Sequence, residues 1–201
     1  MFTQTRLILV SALLGATLLA GCAGQSANTG AEAKPTATLP AVSNGEGGEA
    51  EGVEAALVTH ADAAQGFAIG YPGPWTQDKT VTQGVKYVGG DDSMTLEFVT
   101  PDAGVDAMTY AQNDVAAVTA AYPGFKQLDL KPSTEVKDAI ILGFTANGKS
   151  VVTGKDFTAH NERYYMPLAD GRLAILTVIS PDNHYDMEGV RDIALTFKVI
   201  K

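Results

Sequence analysis

A chain of 201 residues with 45% hydrophobic residues, three histidines and one cysteine carries a formal net charge of −9. That acidic balance excludes a protein that tracks nucleic-acid phosphates or is drawn to anionic headgroups by charge. One cysteine excludes an internal disulfide, so the folded part is held by its core alone.

The chain opens with Arg6 and the free amino terminus as a short positive region, followed by Leu7 to Leu19, 13 residues without charge. That is the length of a signal-peptide apolar region and short of the roughly 20 residues of a spanning helix. Leu19-Ala20-Gly21-Cys22 closes it. Small residues before a cysteine, behind such a run, resemble the lipobox of bacterial lipoproteins. The resemblance implies cleavage before Cys22 and a diacylglycerol on its sulfur. Lipidation consumes a thiol that would be a liability outside the cell. The expected location is the extracytoplasmic side of a cell membrane, with membrane lipid as the first partner.

Residues 22–56 lack aromatics, and their large apolar side chains are only Leu39, Val42 and Val53. Such a segment buries too little surface to offset its ordering entropy, and reads as a disordered tether. Its average reach is roughly 30–35 Å. It carries five Glu against Lys34. Residues 57–201 have the composition of one globular domain, with eighteen Asp and Glu against twelve Lys and Arg, a net charge of −6. About 145 residues suffice for a core without staples.

Within the domain, Phe67, Ile69 and Tyr71 alternate with Ala68 and Gly70, the period of a strand, and Pro72-Gly73-Pro74 stops it before Trp75, the one tryptophan. Gly84 to Val88 and Met94 to Val99 form a predicted hairpin about Gly89-Gly90-Asp91-Asp92. Met108, Ala111, Val115, Val118 and Tyr122 fall at helical steps, with Asp106 as N-cap and Pro123-Gly124 as the stop. Four further strands are predicted over 125–130, 136–144, 150–158 and 163–168, with Asn147-Gly148 as a hairpin turn. Asp170-Gly171 leads into Leu173 to Ile179, apolar on both faces as an interior strand should be. Ser180-Pro181-Asp182 reads as a helix start, with the helix running to about Ala194 and Val190, Ile193 and Phe197 inward. The fold class expected is α+β: an antiparallel sheet of about six or seven strands flanked by helices.

The stretch Phe67-Ala68-Ile69-Gly70-Tyr71-Pro72-Gly73-Pro74-Trp75 resembles the opening of PsbP-like domains. So does the ending, from Gly171-Arg172-Leu173-Ala174-Ile175-Leu176-Thr177 through Ser180-Pro181 to Thr196-Phe197-Lys198-Val199. The resemblance spans 57–201 and implies an α/β/α sandwich that is usually non-enzymatic and often extracytoplasmic. The lipobox and tether depart from its photosystem members, and no metal ligand is carried over.

Catalytic signals are absent from the sequence. His60, His160 and His184 make no HExxH or other i, i+4 pair, and no GxSxG or triad pattern occurs. Neither a cofactor nor a metal is expected. Asp91, Asp92, Asp182 and Asp186 near His184 offer oxygen ligands, but their simpler reading is turn and helix-start chemistry. Trp75 and the adjacent Tyr164 and Tyr165, which must point to opposite strand faces, are the candidate interaction surface. The function expected is a non-catalytic, membrane-anchored interaction or complex-assembly module with an envelope protein partner. The alternative is a small-ligand or divalent-metal binding and sensing protein.

Overall fold

The computed structural model describes residues 56–200. The predicted signal peptide, the lipobox with Cys22, and the tether up to residue 55 lie outside the described residues. The elements in order are β1 (Leu57–Asp62), β2 (Phe67–Pro72), β3 (Thr76–Asp78), β4 (Gly84–Gly89), β5 (Asp92–Val99), α1 (Ala107–Ala121), β6 (Lys126–Pro132), β7 (Ile140–Lys149), β8 (Asp156–Pro167), β9 (Leu173–Pro181), α2 (Met187–Leu195) and β10 (Lys198–Val199).

Seven strands make one antiparallel sheet in the order β3-β4-β5-β9-β8-β7-β6, and β1-β2-β10 make a second. The continuous apolar run at Leu173 puts β9 at the centre of the large sheet. Its Leu173 and Ile175 enter a core shared with Ala111 and Val118 of α1, while Ala174, Leu176 and Val178 enter a core shared with Phe67, Ile69, Val190 and Ile193. One face of the sheet is therefore covered by α1, and the other by the small sheet and α2. The α+β expectation holds, with three added strands (β1, β3 and β10) that are short or polar and carry little alternation.

α1 forms as predicted. Asp106 Oδ1 accepts from the Thr109 amide at 2.7 Å, satisfying an N-terminal donor. Ala111 and Val118 are buried, with Met108, Val115 and Tyr122 packed beside them.

Three expectations are corrected. Asn147-Gly148 is not a turn but part of β7, paired with Thr158 and Phe157. Gly148 serves close approach rather than positive φ: a Cβ there would lie 2.4 Å from the Phe157 ring. The turn is at Ser150–Lys155, closed by Ser150 N–H to the Lys155 carbonyl at 2.8 Å, with Gly154 at φ 71°. Next, the predicted strand 150–158 is strand only from Asp156, and it runs on without a break through the predicted strand 163–168 to Pro167 as one strand, β8. The polar run His160-Asn161-Glu162 is carried between two neighbours, β7 and β9, whose ladders satisfy its backbone. Finally, α2 starts at Met187, not at Ser180. β9 runs through Pro181, the Asp182 amide donates back to the Thr158 carbonyl at 2.8 Å, and Asp186 is the cap, accepting from the amides of Glu188 and Gly189.

Candidate functional site

Packing of α2 against β2 creates a groove. Gly70 lets Thr196 come close, since a Cβ on Gly70 would sit 2.9 Å from that side chain, and the Gly70 amide donates to Thr196 Oγ1 at 2.7 Å. Val190, Ile193 and Ala194 face inward. Another side of the helix, with Gly189, Asp192 and Leu195, borders two hollows of about 700 and 470 Å³. Leu57 and Asp192 line both, so the hollows adjoin along α2. Leu57 and Leu195 stay 39% and 49% exposed, an apolar rim at the point where the domain begins.

The larger hollow is walled by Trp75. Pro72 accepts from the Trp75 amide at 2.9 Å, turning the chain so that the indole lies on Gly89. A Cβ at Gly89 would be 2.2 Å from the ring, so only glycine admits it. Asp92, Ser180, His184 and Asp186 complete the wall. Ser180 Oγ donates to Asp92 Oδ1 at 2.5 Å, and His184 Nδ1 lies 3.8 Å from Asp92 Oδ2.

Of the predicted surface residues, Trp75 lines the groove and the two tyrosines do not. Tyr164 and Tyr165 do point to opposite faces, but both faces are covered, leaving them 2% and 0% exposed. This corrects the expectation that one is free. Tyr164 donates to Glu162, which also accepts from Tyr185 at 2.5 Å. Tyr165 donates to Asp114 at 2.9 Å, and Asp114 pairs with Arg163 at 3.0 Å. Burial and these carboxylates hold both phenols above the usual tyrosine range. They are structural anchors between sheet and helices.

The acidic residues weighed as ligands divide in the same way. Asp92 and Asp186 meet at the groove with His184. Asp91 accepts from the Val151 amide at 2.7 Å, and Asp182 lies 3.7 Å from His160, both elsewhere. Among the described residues no three His, Cys, Asp or Glu side chains gather as a metal set. His60 sits in β1 against the Tyr87 hydroxyl at 3.0 Å. His160, which falls in the interval between the predicted strands 150–158 and 163–168, is in β8, stacked on Tyr185 at 3.8 Å between centroids. No described helix is long and apolar enough to cross a membrane.

Sequence reasoning missed Leu57, Asp192 and Leu195. The signal available was the Leu57-Val58 pair at the domain boundary and the leucine that closes α2.

No protein-family model and no curated protein matches this sequence. Solved structures do. Cyanobacterial PsbP (CyanoP) from Synechocystis aligns over 77% of this chain and 98% of its own, at 15% identity and a TM-score of 0.51. The Ran-binding protein Mog1p of Saccharomyces cerevisiae aligns over 73% and 96%, at 10% identity and a TM-score of 0.54. LpqN of Mycobacterium tuberculosis, described as involved in cell envelope biogenesis, aligns over 75% and 88% at 15% identity and 0.42. The first two carry the likeness, and the domain has a PsbP-like fold.

Proposed function

We propose that this chain is a lipid-anchored, extracytoplasmic, non-catalytic interaction module, and that the groove along α2 is its docking surface for an envelope protein. The carrying observation is the half-buried Trp75 sharing the larger hollow with the exposed Leu57, and the exposed Leu195 in the hollow that adjoins it. Aromatic and aliphatic side chains presented in a concavity are the usual anchors of protein contacts. Cys22 and the residues before it supply the anchor, and the acidic tether supplies reach from the membrane. A protein of this fold is named for binding another protein, Ran, which is in keeping with an interaction role. The larger hollow also has the size of a small-molecule site, but its carboxylates do not converge as ligands do.

Two substitutions in the full chain test this reading. Cys22→Ala should move the protein from the membrane to the soluble fraction, with no lipid mass on its N-terminus. A photo-crosslinking amino acid at Leu195 should trap one partner in native membranes, while the same probe at Leu128, 54% exposed on the far edge strand β6, should trap none. Equal products from both positions, or from Leu128 alone, would remove the groove from the account.

A further inference from the structure

The groove's charge says which partner segment it takes. Asp92 and Asp186 are held at the Trp75 end by neutral donors: the Ser180 hydroxyl for the first, the Glu188 and Gly189 amides for the second. Midway, Asp192 stands between the two hollows. The cationic groups nearby offset them only in part. Arg191 is shared between Glu135 and Asp192, each at 3.4 Å, and Lys198 lines only the far hollow. Among the described residues, His184 is the one cation-forming side chain that approaches Asp92, at 3.8 Å. The larger hollow thus joins the apolar side chains of Leu57, Val190 and Ile193 to carboxylates and to Trp75.

We infer that the groove takes a cationic, extended segment of a partner protein, with Lys or Arg at the Trp75 end and an aliphatic residue over Leu57. This rests on the groove being the docking surface. A cation within about 6 Å of an indole face is attracted by the ring quadrupole, and the carboxylates add Coulomb attraction in a partly desolvated hollow. The same charges turn away other occupants. The chain's own tether is acidic, with five Glu against Lys34, and a second copy of the domain brings a net charge of −6. Anionic lipid headgroups are repelled likewise. Lys198 at the opposite end sets a direction, because a second cation on the occupant would be disfavoured there.

The test pans a random dodecapeptide phage library on the full chain in mild detergent, beside the variant Asp92→Asn/Asp186→Asn/Asp192→Asn. Asparagine keeps the Asp186 cap, and unchanged Trp75 emission and melting confirm the variant's fold. Selected sequences should be rich in Lys or Arg next to an aliphatic residue. A synthetic consensus peptide lacking tryptophan should shift the emission of Trp75, the protein's one tryptophan. Its affinity should weaken about tenfold in the triple variant, and severalfold in high salt. A neutral or acidic consensus, or equal affinity for the variant, overturns the cationic class. If such a peptide still moves Trp75 emission, the groove stands as a docking surface. Selection of nothing, or of peptides that leave Trp75 emission unchanged, overturns both.

Discussion

Gly89→Ala isolates the contact that shapes the groove. A methyl group built on Gly89 would lie 2.2 Å from Trp75 Cδ1 and Nε1 and 2.8 Å from Cγ, well inside the ~3.5–4 Å of an ordinary carbon contact. Gly89 is in β4, paired with Asp92, and its backbone is not in the positive-φ region, so alanine meets no conformational penalty there. The indole must leave instead. If the displaced ring exposes about 100 Å² of apolar surface, the loss is about 2.5 kcal/mol. For a domain of this size that corresponds to a melting temperature lower by about 5–10 °C. Because Trp75 is the one tryptophan, its fluorescence reports the event directly, and the emission maximum should move to the red. Gly90→Ala is the control: φ is 66° there, yet the nearest atom to an added Cβ is Val152 Cγ2 at 4.0 Å. It should cost about 1 kcal/mol from backbone strain and leave emission unchanged. A Gly89→Ala protein with native emission and native melting would refute the account of how Trp75 is seated.

Asp186→Ala should destabilise the domain by about 1 kcal/mol through loss of the α2 cap, and Asp186→Asn by a few tenths at most, read by thermal melting. Arg163→Leu strips Asp114 of its cation beneath α1, where both side chains are about 15% exposed. It should cost about 2–4 kcal/mol in urea denaturation, and Arg163→Leu/Asp114→Leu should recover part of that loss. Of seven tyrosines, Tyr87, Tyr110, Tyr122, Tyr164, Tyr165 and Tyr185 are raised above 10.0, each chiefly by burial, and Tyr87 reaches about 12. A raised phenol keeps its proton longer in the folded state than in the unfolded one. Its stabilising effect is whole below pH 10 and is lost as pH rises toward 12. Melting temperature should therefore hold steady to about pH 9 and fall steeply above about pH 10, with most of the phenolate absorbance at 295 nm appearing as the fold is lost.

Where local chemistry and tertiary packing agree, the fold is legible from the chain. The Asp106 cap, the apolar steps of α1 and the double-faced run at Leu173 each specify one state, and the structure has it. The failures occur where tertiary pairing decides. Asn147-Gly148 has the composition of a tight turn, yet Phe157 needs a position without a Cβ opposite it, and the turn moves to Ser150–Lys155. Polar His160-Asn161-Glu162 looks like a strand break, but a centrally placed strand is carried through it by ladders on both sides. β1 and β10 are recruited by β2 rather than by their own pattern.

The site follows the same division, and one displacement accounts for it. Ser180-Pro181 has the makings of a helix start, and a helix beginning there would use Ser180 to cap its own amides. Because β9 continues to Pro181, that hydroxyl is free to reach across the sheet to Asp92, and Asp186 becomes the cap. The later start carries α2 over β2, where Gly70 and Thr196 pin its end and Asp192 is left beside Leu57. Trp75 could be singled out because an amphipathic indole is favoured in contact surfaces. Tyr164 and Tyr165 could not be judged alone, since whether a strand face is free depends on elements distant in the chain: α1 on one side, β2 and α2 on the other. The groove is a product of where α2 begins, and that boundary was set by the pairing of β9 with β8, a long-range event that no local spacing encodes.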